Sequence, residues 1–195
     1  MDEDKYRQGD KGDGMKQGTI SVLLGCHSPI HSVIVFVAWC KLYHRPPNFW
    51  QTVCILLHDI GHWGKDYLDN YEQKKRHAEL GARVARFLFG QKGYDLVIGH
   101  NSYSGAPNSS LHGPDKYSWV IAPTWWLISN TLFEPKLQRK GSTRLESAVM
   151  FKRAMIENMN TGFKEHGHEI YLKQWGHSLA ASRKDGSSND QDVHC

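Results

Sequence analysis

Through the middle of this 195-residue chain apolar residues recur every three or four positions, and no stretch bounded by turn residues alternates apolar with polar. A 3.6-residue period marks a helix with one buried face, whereas a two-residue period marks a half-buried strand. The chain is therefore confined to packing helix on helix, which predicts an all-α fold, a single-domain helical bundle. The first helix spans about Pro29 to Leu42, with His31, Ile34, Val35 and Ala38 on one stripe, and Pro46–Pro47 closes it. Asn48 is placed to cap a second, FWQTVCILLHDI, after which Gly61 and Gly64 loosen the chain. A third runs from Asn70–Glu72 to Phe89 and stops at Gly90; its expected buried face is Leu80, Val84 and Phe87, with His77 one turn earlier on the same side. A short helix from Tyr94 carries His100, and a Gly/Ser/Asn/Pro-rich loop fills Ser102 to Pro114. Another apolar helix is expected from Asp115 to about Phe133, with Trp125–Trp126 in the core. Thr143 and Glu146 form a capping box for the next, whose stripe is Leu145, Val149, Met155, Ile156 and Met159.

At this length one core forms without disulfide or metal staples. Residues 1–18 are polar, charged and Gly-rich and are expected to lack stable structure, as is the tail 182–195, which leaves 19–181 as the domain. The four cysteines, Cys26, Cys40, Cys54 and Cys195, make no CxxC pair, and the opening Met-Asp-Glu-Asp-Lys is not a signal peptide. Together these imply reduced thiols in a cytoplasmic protein. The longest apolar run, Ile30 to Cys40, is interrupted by His31 and Ser32 and is too short to cross a bilayer, so no membrane partner is expected. A formal charge of +4, spread along the chain, suits a small anionic substrate and argues against specific nucleic-acid binding.

Twelve histidines is a high count, and seven of them fall between Gly25 and His100, which points to a metal or acid–base site. Its centre is the adjacent pair His58–Asp59. Neighbouring side chains on a helix diverge by about 100°, so both reach one ion only where the helix ends, and Ile60–Gly61 provides that ending. An imidazole beside a carboxylate suits a divalent ion of intermediate hardness: Fe, Mn, Co, Ni or Zn. His31, His77, His100 and Asp115 are further candidates at helix-compatible positions. Six N/O donors exceed one four-coordinate site, so two ions are expected, with Asp59 bridging them and a water between them as nucleophile. His27 competes with His31 as the first ligand, and Asp115, after Gly113–Pro114, is also placed to cap a helix.

The order His31, then His58–Asp59 in LLHDIGHWG, His77 in RHAELGARVARFLFG, His100 in IGHNSYSGAP and Asp115 in PDKYSW resembles the H…HD…H…H…D pattern of the HD-domain superfamily of metal-dependent phosphohydrolases, over about residues 27–125. HSVIVFVAW resembles the start of that family's first helix, which favours His31 over His27. The resemblance implies an HD-type helical fold, with His31, His58, Asp59 and Asp115 as ligands of the basic site and His77 and His100 as the extra histidines of its binuclear branch. The GYP signature is only echoed by Tyr103-Ser104-Gly105-Ala106-Pro107, which disfavours a cyclic-dinucleotide phosphodiesterase.

The function expected on this reading is hydrolysis of a phosphate ester or anhydride in a nucleotide or another small phosphorylated metabolite by a metal-activated water. Asp59 would hold the ions, and His62 or Lys65 would add positive charge where negative charge develops. Lys116 is a weaker candidate for the same task, and Trp63, Tyr103, Trp119, Trp125 and Trp126 are either stacking groups for a base or packing. Two other readings use the same ligands: an HD-type diiron oxygenase acting on a small substrate, and a non-catalytic nucleotide-binding module.

Overall fold

A computed structural model describes residues 15–65 and 71–165, and among these every regular element is helical, with no strand. The segments expected to lack structure, apart from residues 15–18, lie outside the described residues, as do residues 166–181 of the expected domain. In chain order the helices are α1 (Gln17–Leu23), α2 (Pro29–Tyr43), α3 (Phe49–Leu57), α4 (Tyr71–Phe89), α5 (Gln91–Ile98), α6 (His112–Ile121), α7 (Thr124–Phe133) and α8 (Arg144–Glu165). Short 3₁₀ turns occupy Ile60–His62, Ser102–Ser104 and Pro135–Leu137. No helix among the described residues is long and apolar enough to cross a membrane.

Local chemistry explains several boundaries. Pro29 opens α2 at a position where its missing N–H costs nothing. Asn48 and Gln51 form a reciprocal capping box on α3: the Gln51 N–H donates to Asn48 Oδ1 (3.2 Å) and the Asn48 N–H to Gln51 Oε1 (2.9 Å). Thr143 and Glu146 do the same before α8, at 2.7 and 3.2 Å.

Four expectations change. The helix expected over Asp115–Phe133 is two, α6 and α7, because Pro123 removes a backbone donor and drives Ala122 to an extended conformation (ψ 134°). Trp126 is buried but Trp125 is 63% exposed, since consecutive residues on a helix point about 100° apart. The buried face of α4 is Ala78, Gly81, Ala82 and Ala85, whereas Phe87 is 88% exposed and Leu80 is also exposed. On α8, Met159 is buried but Leu145 and Val149 are exposed, and the inner face is Ser147 and Ala148.

The buried side chains form two main clusters. One joins Val35 and Trp39 of α2, Cys54 and Ile55 of α3, the three alanines of α4, and Leu96, Val97 and Ile98 of α5. The other joins Ile34 of α2 to Ala122, Trp126 and Leu127, with Ala148 of α8. Because α2 contributes to both clusters, it also carries His31 into the polar space where the chain's buried histidines and carboxylates gather.

Candidate metal centre

The chain ends α3 at Leu57, and His58 and Asp59 follow in the turn before the 3₁₀ segment, with Asp59 at φ −101°, ψ 4°. Leaving the helix lets two adjacent side chains aim at one place. Gly61 serves a different purpose from the freedom expected of it. A Cβ there would run into the backbone carbonyl of His77, and a Cβ on Gly81 would run into that of Leu57. Two glycines thus let α4 lie directly against the His58–Asp59 turn, and this close approach brings His77 to Asp59.

Six side chains from five helices and their flanking turns converge. Asp59 stands at the middle. Its Oδ2 lies 3.1 Å from His58 Nε2 and 3.4 Å from His31 Nε2, and its Oδ1 lies 3.5 Å from His100 Nε2 and 3.6 Å from His77 Nε2. Asp115 Oδ1 completes the first group, 3.2 Å from His31 Nε2 and 3.6 Å from His58 Nε2. One carboxylate therefore faces two sets of donors, His31/His58/Asp115 through one oxygen and His77/His100 through the other. His31, His58, Asp59, His100 and Asp115 are all buried, and His77 is mostly so.

The ring orientations are fixed from behind. His58 Nδ1–H donates to the Ile55 carbonyl and His100 Nδ1–H to the Val97 carbonyl, both at 2.6 Å. A carbonyl can only accept, so each Nδ1 carries a proton and each Nε2 is turned inward. His58 Nε2 is fully buried and faces two carboxylate oxygens, Asp59 Oδ2 at 3.1 Å and Asp115 Oδ1 at 3.6 Å. His77 Nε2 and His100 Nε2 lie 3.0 Å apart, within hydrogen-bond distance of each other, and both nitrogens would be placed to hold one ion. The donor set (imidazole nitrogens and carboxylate oxygens, no thiolate) fits divalent Fe, Mn, Co, Ni or Zn. Inward-facing ring nitrogens converging on two buried carboxylates form an environment that a cation satisfies.

Electrostatics bind the cluster together. Burial alone would raise the Asp59 carboxyl, but the His58 and His27 rings, with hydrogen bonds from His100 and His58, hold it well below the usual range. Burial also acts to raise Asp115, against the Lys116 ammonium and hydrogen bonds from His31 and His58, which bring it well below that range. His58 is pulled in the opposite sense. Burial disfavours its charge, yet Asp59 and Asp115 raise it to about 10.

His62 and Lys65 part company. Lys65 is exposed and lines a cleft of about 450 Å³ together with His62, His77, Arg76 and Arg83. His62 is buried, and burial lowers its pKa to about 3, so it is neutral at physiological pH. It cannot bring the positive charge expected of it; its ring instead stacks between His27 (3.9 Å between centroids) and His77 (4.7 Å). His27 lies beside the same carboxylate, with donor atoms of His27, Asp59 and His62 all within 4.8 Å of one another, and its Nδ1 meets Ser21 Oγ at 2.7 Å and Cys26 Sγ at 3.2 Å. Trp63, Tyr103 and Trp125 are exposed, whereas Trp119 stacks on His31 at 4.6 Å.

Several supporting residues carried no readable signal. Glu134 reaches back from the end of α7 to accept from Ser21 Oγ (2.8 Å) and the Cys26 N–H (2.7 Å), anchoring the turn that leads into α2. His112 Nδ1 lies 2.9 Å from the His100 carbonyl, and Asn101 Nδ2 lies 3.4 Å from His77 Nδ1. Asn101 was findable in principle, since it directly follows a candidate ligand; Glu134, 108 residues from Cys26, was not. No protein-family model, no curated protein and no solved structure matches the chain.

Proposed function

We propose that this protein is a metal-dependent phosphohydrolase of the HD-domain type, cleaving a phosphate ester or anhydride of a nucleotide or another small phosphorylated metabolite. The observation that carries the reading is the Asp59 carboxylate set between two donor groups, with His31, His58 and Asp115 on one side and His77 and His100 on the other. Divalent ions held there supply a water nucleophile at neutral pH and neutralise the phosphoryl oxygens.

The chain's own groups do the rest. Ile55 and Val97 carbonyls hold the His58 and His100 rings with Nε2 inward, so no ring has to reorient when the cation arrives. Lys65, Arg76 and Arg83 outnumber Glu79, which pairs with Arg83 at 3.8 Å, on the cleft beside His77 and give it a net positive rim that attracts a phosphorylated anion. Lys116 Nζ lies 3.1 Å from Asp115 Oδ2, on the opposite flank, and offsets the charge of that carboxylate. The neutral rings of His62 and His27 pack against each other beside Asp59.

Metal analysis of the purified protein, followed by phosphate release from a panel of phosphomonoesters and nucleotides with Mn, Co, Ni and Fe, tests the reading. One or two transition-metal ions per chain are expected, with turnover in at least one combination under argon. His58→Ala and Asp59→Ala are expected to lose both metal and turnover. Full activity in a metal-free variant overturns the proposal, as does iron-dependent oxygen uptake without phosphate release.

A further inference from the structure

A second group of metal-ligating side chains lies outside the six that converge on Asp59. Cys26, His27 and Glu134 meet where the turn before α2 reaches the end of α7, with one donor atom of each within 4.8 Å of the others. Cys26 Sγ stands 3.2 Å from His27 Nδ1 and 3.3 Å from Glu134 Oε2. Cys26 and Glu134 are buried and His27 is partly so. Gly25 makes this approach possible, since a Cβ there would run into the Glu134 carboxylate.

The two carboxylate oxygens are held differently. Oε1 accepts from Ser21 Oγ–H at 2.8 Å and from the Cys26 N–H at 2.7 Å, whereas Oε2 meets only the Cys26 thiol. Ser21 gives its one proton to Glu134, so it accepts from His27, whose Nδ1 therefore carries the ring proton. A buried carboxylate ordinarily has a cation beside it, yet no Lys or Arg among the described residues pairs with Glu134. Burial and the carboxylate itself push the Cys26 thiol well up, so the thiol stays protonated and leaves the charge of Glu134 unbalanced. A divalent ion corrects this. One thiolate and one carboxylate cancel its two positive charges, and a sulfur, nitrogen and oxygen donor set is one that zinc takes.

We propose that Cys26, His27 and Glu134 form a zinc site distinct from the Asp59 centre, clamping the end of α7 to the start of α2. On binding, the Cys26 thiol proton is released to solvent, and the single proton of the His27 ring passes from Nδ1 to Nε2, so that Nδ1 can ligate. Glu134 offers Oε2 and keeps its two hydrogen bonds on Oε1. The ion takes the place of shared protons and needs only a small outward movement of the donors. Of the three residues Cys26 alone lines the cavity of about 290 Å³ between α6, α7 and α8, which gives the ion its way in.

The site does not rest on the phosphohydrolase reading. Cobalt separates the two centres, because a thiolate ligand gives a charge-transfer band in the near ultraviolet and the Asp59 centre has no thiolate to offer. Titration of the metal-stripped full chain with cobalt should produce that band. It should persist in Asp59→Ala and Cys40→Ser and vanish in Cys26→Ser. Glu134→Gln, which keeps the shape but not the charge, should weaken cobalt at this site roughly tenfold or more. X-ray absorption at the zinc edge of the zinc-loaded native chain requires no variant and should show sulfur among the ligands. The site is overturned if saturating cobalt gives no thiolate band, if the band survives Cys26→Ser, or if Glu134→Gln binds as tightly as the native chain. Zinc surrounded by nitrogen and oxygen alone also defeats it, leaving the cluster a hydrogen-bonded anchor. A thiolate band without phosphate release from any substrate supports the zinc site and defeats the hydrolase reading alone.

Discussion

A buried histidine that cannot easily be charged makes the folded chain sensitive to acid, and His112 is such a residue beside the centre. Burial, aided by Lys116, lowers its pKa to about 4, against the His100 carbonyl and Asp115, which act to raise it. Its unfolded value is near 6.5, so between those pH values the unfolded chain binds a proton that the folded chain does not. The contribution is fully present above pH ~6.5 and is lost as pH falls from there towards 4. At about 1.4 kcal/mol per pK unit, the loss is ~1–3 kcal/mol by pH 4.5. His112→Gln is expected to flatten that part of the profile, so that urea denaturation from pH 7.5 to 4.5 shows a smaller decline than in the native chain. Parallel profiles for the two proteins would show that His112 stays uncharged for no energetic reason. The same side chain steadies His100 through its carbonyl, so a residue the sequence left unremarked is tied directly to a candidate ligand.

Among the elements, α4 shows most clearly where periodicity succeeds and where it misleads. Its helical period is plain in the sequence, but period assigns the buried face to the largest side chains, and here the buried face is Ala78, Gly81, Ala82 and Ala85. The reason is distance. The α4 backbone lies so close to the Leu57–Gly61 segment that a single Cβ at Gly81 or Gly61 would strike a carbonyl, and hydrophobicity scales give no weight to smallness. Gly81→Val is therefore expected to cost about 3 kcal/mol, the upper end of the range for overpacking a closed contact, whereas Phe87→Ser should stay within about 0.5 kcal/mol of native. Chemical denaturation of both variants decides it, and a larger loss at Phe87 than at Gly81 would mean that the face read from hydrophobicity was the true one. Helix ends were more legible than faces. The boxes at Asn48–Gln51 and Thr143–Glu146 are chemical statements made within four residues, whereas which of Trp125 and Trp126 turns inward depends on the neighbour each meets.

For the molecule as a whole, the candidate ligands were legible because a metal site demands particular residue types, and the order of His31, His58, Asp59, His77, His100 and Asp115 survives however the helices are arranged. The residues that support them were not legible, since Glu134 and His112 act through contacts that only the packed bundle creates. The packed arrangement has a further consequence. His31 and Asp115, 84 residues apart, meet across the space between the two main apolar clusters, and α2, α3, α4, α5 and α6 each send a donor from the helix or the turn beside it. Without a cation, that space holds two carboxylates and a raised His58 at the junction of the fold. A cation bound there ties five helices at once and binds the folded chain alone, so it stabilises by an amount set by its concentration over its dissociation constant, about 4 kcal/mol at a thousandfold excess. For a chain of this size that is a rise of roughly 8–16 °C in melting temperature. Thermal denaturation after chelation and after re-addition of Mn, Co, Ni, Fe or Zn should show the rise for at least one ion, and Asp59→Asn, which weakens the bridging group without removing bulk, should reduce it to a few degrees. A melting temperature indifferent to every ion, or a rise undiminished in Asp59→Asn, would mean that the convergence of imidazoles and carboxylates on Asp59 is held by hydrogen bonds and ion pairs alone.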